Sequence, residues 1–121
     1  MSANHVGSPL QKAENPRDQA VMDLDHLDGF TAGDRQLEGE LAALFLSTAE
    51  VYVGRMSQAL TAGESWIGPA HALKGASANL GAGRLAVLAR LAEQSEPDAT
   101  TLHEVRRALD EVRDFFEARQ P

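Results

Sequence analysis

Residues 70–82 read Ala70-His71-Ala72-Leu73-Lys74-Gly75-Ala76-Ser77-Ala78-Asn79-Leu80-Gly81-Ala82, and their spacing is that of a two-faced helix. With His71 set at zero, Lys74 falls at about 300°, Gly75 at about 40°, Ala78 at about 340°, Ile67 at about 320° and Gly68 at about 60°. Trp66, Leu73 and Leu80 gather at about 180–220°. The apolar stripe therefore points away from the histidine, which faces water or a partner surface. Gly68 and Gly75 flank His71, and each costs a helix interior about 1 kcal/mol relative to alanine. Bare backbone beside an exposed imidazole lets another surface come close. The plainer reading makes Gly68 part of a helix start and Gly75 an incidental flaw.

Working outward, 121 residues suit one domain with one modest core. The chain is 43% hydrophobic but only 5% aromatic, so its core is mostly Leu, Ala and Val, which favours packed helices over a β-sandwich. A formal charge of −7, from 18 acidic and 11 basic residues, argues against binding a phosphate backbone. The absence of cysteine excludes disulfides and thiolate metal sites and fits a reducing compartment. No apolar run approaches membrane-spanning length and no secretory pattern opens the chain. A soluble, cytoplasmic protein is expected.

The expected architecture is all-α, an antiparallel four-helix bundle with a short additional N-terminal helix. Residues 1–17, broken by Pro9 and Pro16, read as a disordered tail, and residues 18–121 as the helical domain. The short helix is expected around Asp18–Leu27, capped by Asp18, with Leu24 and Leu27 covering one end of the bundle. Asp34 caps a long helix whose stripe reads Leu37, Leu41, Leu44, Phe45, Thr48, Tyr52, Met56, Ala59 and Leu60, with Gly63 closing it. The histidine helix starts either with Ser65 as cap and Pro69 in its first turn, or with Gly68 as cap and Pro69 at the first position. Gly81 ends it. A further stripe, Leu85, Leu88, Ala89 and Ala92, runs to about Gln94. After Glu96-Pro97-Asp98, either a Thr101–Glu104 capping box or Asp98 starts the last helix, which carries Leu102, Val105, Leu109, Val112 and Phe116.

The run His71-Ala72-Leu73-Lys74-Gly75, followed by Leu80-Gly81-Ala82, resembles the phosphorylation motif of histidine phosphotransfer (HPt) domains. The resemblance covers about residues 20–118, and outside the motif it rests on helical pattern. It implies a stand-alone single-domain carrier that shuttles a phosphoryl group on His71 between aspartates of response-regulator receiver domains. The implied partners are those receivers and a hybrid histidine kinase, with no nucleic acid, no membrane and a monomeric state. No cofactor of its own is implied, and magnesium is expected in the receiver.

A neutral imidazole is a good nucleophile near neutral pH and can form a phosphohistidine. Lys74, one turn away on the same face, is placed either to meet phosphoryl oxygens or simply to be solvated. If the next helix returns antiparallel, a residue about 22 positions later reaches the histidine's level. That residue is Glu93, where the resemblance implies a Glu or Gln accepting a hydrogen bond from the imidazole. A shift of one register would choose Gln94, and ordinary helix surface is the plain alternative. Ile67, Gly68, Gly75 and Ala78 are the candidate partner-binding residues around His71. Arg84, just past the turn, is a candidate to pair with an acidic partner or else plain surface. Ser77 borders the core and is expected to bond within its own helix. No ATP-binding loop is present, so His71 depends on a partner for its phosphoryl group. Two other readings stay open: a non-catalytic receiver-binding module, and a dimeric phosphotransferase resembling the dimerisation half of histidine kinases.

Overall fold

The computed structural model describes residues 15–120. Most of the expected tail, including His5 and Pro9, lies outside the described residues. Asn15 caps a single 3-10 turn, Pro16–Asp18. Five α-helices follow: α1 (Leu24–Thr31), α2 (Arg35–Ala62), α3 (Ile67–Leu80), α4 (Gly83–Glu93) and α5 (Ala99–Ala118). Among the described residues there is no strand.

Most helix ends follow from local chemistry. The Asp34 carboxylate accepts the Leu37 N–H at 3.1 Å, and α2 stops at Gly63, whose φ of 71° is left-handed. α3 takes neither expected cap: Trp66 holds the cap position without a side-chain bond, while Ser65, one residue earlier, accepts the Ile67 N–H at 3.2 Å, and Pro69 lies inside the first turn, where a missing donor matters least. Gly81 ends α3 with φ 97°. Asp98 takes both the Thr100 and Thr101 N–H groups, so it displaces the Thr101–Glu104 capping box. The short N-terminal helix departs from expectation. It begins at Leu24 rather than Asp18, because Asp23 supplies the cap by accepting the His26 N–H. Leu27 is buried, but Leu24 stays exposed.

Three pairings show that α2 to α5 alternate in direction. Trp66 at the start of α3 reaches Ala92 at the end of α4. Arg84 at the start of α4 reaches Glu111 late in α5. Glu38 at the start of α2 reaches Arg119 just past α5. This is the expected antiparallel four-helix bundle, with α1 as the additional helix. Its core holds Val53, Met56, Trp66, Leu73, Leu85, Val105 and Val112, all essentially inaccessible.

The α5 stripe is buried as its periodicity indicates. The expected α2 stripe holds at Phe45, Met56 and Ala59, which are buried, but elsewhere the buried face is rotated by one residue. Ala42, Ala49 and Val53 face the core, Leu41, Thr48 and Tyr52 lie at its edge, and Leu44 is 67% exposed. Where helices pack closely, small residues fill the contact and the larger ones are displaced to the rim. A second departure is Ser77. Its Oγ is buried without a hydrogen-bond partner, so the expected bond within α3 is absent.

Glu38 is 4% exposed, and a buried carboxylate requires a partner. Arg119 supplies it with two hydrogen bonds, Nε to Oε2 at 2.7 Å and NH2 to Oε1 at 3.0 Å. The hydrogen bond from Arg119 holds the Glu38 carboxyl below its ordinary value of 4.5. A lowered folded value means that this pairing stabilises the fold fully above the unfolded pKa and is lost as pH falls through the folded one. Arg119→Ala is expected to lower stability to urea by about 2 kcal/mol at neutral pH. The gap between wild type and variant should close in acid as Glu38 protonates. A gap that persists unchanged below the carboxylate range would show that packing by the arginine stem, not the ion pair, is responsible.

Candidate functional site

The apolar stripe of α3 is buried through Ala70, Leu73, Ser77 and Leu80, and this turns the opposite face outward. His71 stands on that face with its side chain 65% exposed. α4 returns antiparallel and ends at Glu93, whose carboxylate meets two residues of α3 at once. Oε2 lies 2.8 Å from His71 Nδ1, and Oε1 lies 3.0 Å from Lys74 Nζ. Glu93, not Gln94, is therefore the residue that reaches the histidine.

The chemistry follows from what each group can donate. An ionised carboxylate only accepts, so the hydrogen on this side of the imidazole belongs to Nδ1. In the neutral ring, Nε2 then carries the lone pair, and among the described residues it makes no hydrogen bond. Glu93 is held below the ordinary glutamate range first by the hydrogen bond from Lys74 and then by the one from His71. It is ionised throughout the range where imidazole is neutral.

The surroundings of His71 are open. A Cβ added at Gly68 or at Gly75 would meet nothing within 4 Å, so neither glycine makes room for a neighbouring helix. Ile67 is 54% exposed and Ala78 is also exposed. Ile67, Gly68, Gly75 and Ala78 thus surround the imidazole on one accessible face. Arg84 does not join them. It sits at the far end of α4, where its guanidinium binds both carboxylate oxygens of Glu111 at 3.1 Å and the Gln19 carbonyl at 3.2 Å. This arginine ties the N-terminal segment to α5 and has no place in the histidine site. Lys74 is on the expected face, but its ammonium rests on Glu93.

Two features escaped the sequence reading. Trp66 donates its indole N–H to the Ala92 carbonyl at 2.8 Å, a contact across 26 residues without a local signature. Beside α3, an apolar groove of about 300 Å³ is lined by Phe30, Leu41, Leu44, Thr48 and Ala76. Phe30 and Leu44 are more than half exposed, Leu44 because the buried face of α2 passes beside it. Among the described residues, no group of three or more His, Asp or Glu could hold a metal ion, and no helix is long and apolar enough to cross a membrane.

A family model for the Hpt domain matches residues 40–115, more than half of the chain, and includes His71, Lys74, Gly75 and Glu93. The chain belongs to the Hpt domain family. Membership assigns it a general role in phosphorelay histidine phosphotransfer. No curated protein and no solved structure matches the chain.

The open space over Gly75 generates a test with opposed signs. Gly75→Gln is expected to leave the melting temperature unchanged or raise stability by about 0.5 kcal/mol, since glycine weakens a helix. The added side chain stands beside the imidazole, and phosphoryl transfer should fall by about 100-fold, because reacting atoms tolerate little extra separation. A large drop in melting temperature would place Gly75 against another part of the fold.

Proposed function

We propose that the protein is a phosphorelay intermediate that carries a phosphoryl group on Nε2 of His71 between receiver-domain aspartates. The observation that carries this reading is the Glu93 carboxylate bridging His71 Nδ1 and Lys74 Nζ, with Nε2 of the exposed ring left without a hydrogen bond among the described residues. The Nε2 lone pair attacks the phosphorus of an aspartyl phosphate in line. The P–N bond forms, the P–O bond to the aspartate breaks, and the aspartate departs as carboxylate.

No proton has to move in this step. The ring gains positive charge while Nδ1 keeps its hydrogen, and the adjacent Glu93 carboxylate balances that charge. In the reverse direction the same hydrogen lets the imidazole leave as a neutral group. Lys74, one turn from His71, supplies a cation near the equatorial phosphoryl oxygens, where transfer depends on positioning and charge stabilisation. Magnesium and the phosphorylatable aspartate belong to the receiver. In this reading the receiver covers Ile67, Gly68, Gly75 and Ala78. The partners are receiver domains and a hybrid histidine kinase acting on a cytoplasmic monomer.

The decisive measurement is transfer from a phosphorylated receiver to wild type and to His71→Gln. Wild type is expected to take an acid-labile label and the variant none. Undiminished labelling of the variant would sink the assignment, whereas receiver binding without any label would indicate a non-catalytic module. Lys74→Ala removes a side chain that lies outside the core and is about one-third exposed, so the bundle should remain folded. Its transfer at saturating receiver should slow by about tenfold. An unchanged rate would reduce Lys74 to a partner for Glu93 alone.

A further inference from the structure

The last turn of α4 carries Glu93, yet it lacks the stop that closes the helices before it. α1, α2 and α3 end on left-handed residues, Ala32, Gly63 and Gly81. α4 ends at Glu93 on a Gln94 cap with φ −92° and ψ 3°, which is not left-handed but whose own N–H reaches the Leu91 carbonyl at 3.2 Å. The last turn gathers further donors. The Ala92 carbonyl receives the Ser95 N–H at 3.1 Å, the Ser95 hydroxyl at 3.3 Å and the Trp66 indole N–H at 2.8 Å. The shortest of these comes from outside the helix. The peptide it holds is the one that joins Ala92 to Glu93.

Trp66 is itself fully buried and stands five positions before His71, at the start of the same helix. A buried indole N–H that finds its acceptor is directional as well as space-filling. It therefore ties the beginning of α3 to the end of α4 at the level of the site. We infer that Trp66 is a positioning residue: its indole N–H latches the final turn of α4 so that the Glu93 carboxylate is held against His71 Nδ1 and Lys74 Nζ. The effect on transfer rests on the phosphotransfer reading, but the effect on the imidazole does not. Without the latch the last turn frays, Glu93 leaves Nδ1, and the ring's hydrogen redistributes between its two nitrogens.

The chain has one tryptophan, so biosynthetic replacement by benzothienylalanine changes this position alone. It substitutes sulfur for the N–H and keeps the bicyclic shape. Trp66→Phe serves as an independent second variant. Two quantities are measured in each protein: the imidazole nitrogen chemical shifts of His71 in mildly alkaline buffer, which report the tautomer, and the rate of transfer from a phosphorylated receiver. Both are repeated in a Glu93→Ala background.

In the wild-type background, the replacement is expected to move His71 from the Nδ1–H form toward a mixture and to slow transfer by about tenfold. In Glu93→Ala it is expected to add no further loss, because residues acting through one another are not additive. A tautomer that stays put when the N–H is removed overturns the inference, even if melting temperature or rate falls, since that pattern is a core residue's. Equal slowing in both backgrounds also overturns it. If wild type accepts no phosphoryl group while the tautomer still follows Trp66, the latch stands and the phosphotransfer reading fails.

Discussion

At Gly81 the chain reverses with φ 97°, and the geometry of the rest of the molecule depends on that reversal. A Cβ there would come within 3.0 Å of His26 Cδ2 and 3.3 Å of the Asp23 carbonyl. The residue is thus constrained both by its left-handed backbone and by the segment packed over it. The Gly81 carbonyl accepts the Asp23 N–H at 2.8 Å, and His26 donates from Nε2 to the Asn79 carbonyl at 2.8 Å. α1 is therefore seated on the end of the histidine helix. The tightness of the turn keeps α3 and α4 side by side for their whole length, which brings Glu93 to the level of His71.

At the other end of that helix pair, the site works by geometry more than by the strength of any one contact. His71 is mostly exposed, and Lys74 and Glu93 are about one-third and one-fifth exposed. Charges in such a setting are screened, and each pair alone contributes little to stability. Glu93 instead divides its two oxygens between two functional groups. One oxygen selects which imidazole nitrogen carries hydrogen. The other holds the Lys74 ammonium on the same face as the imidazole. A single carboxylate thereby couples the orientation of the imidazole to the placement of the nearby ammonium.

Glu38 and Ser77 are buried polar groups that the hydrophobic pattern does not explain. Glu38 is held by Arg119, whose guanidinium also lies 5.5 Å from the Phe115 ring centroid. Arg35 reaches the Arg119 carbonyl at 2.6 Å, so the start of α2 and the end of α5 are fastened by two arginines, one from each element. Ser77 has no such compensation. It lies on the buried side of α3, two turns beyond Ala70 and one beyond Leu73, where an alanine would fill nearly the same volume without an orphaned hydroxyl.

How much was legible in the sequence depends on the range of the interaction involved. Asp34, Gly63, Gly81 and Asp98 mark helix ends because caps and left-handed stops act over two to four residues. The outward face of His71, Lys74 and Gly75 follows from helical periodicity alone, and the 22-residue return to Glu93 follows once the next helix is taken as antiparallel. The start of α1 was misplaced because Asp18 and Asp23 have the same capping chemistry, and only Asp23 sits where its N–H can meet Gly81. The rotation of α2, the internal role of Arg84, the pairing of Glu38 with Arg119 across 81 residues and the Trp66–Ala92 contact were illegible. Small residues can be surface or close-packed interface, and a polar side chain does not name its partner. The sequence by itself determined the helices, their ends and the exposed histidine face, because those rest on neighbours along the chain. Only the tertiary structure decided which residues of α2 form the core and which carboxylate, arginine and carbonyl meet, because those choices rest on the packing of helices far apart in sequence.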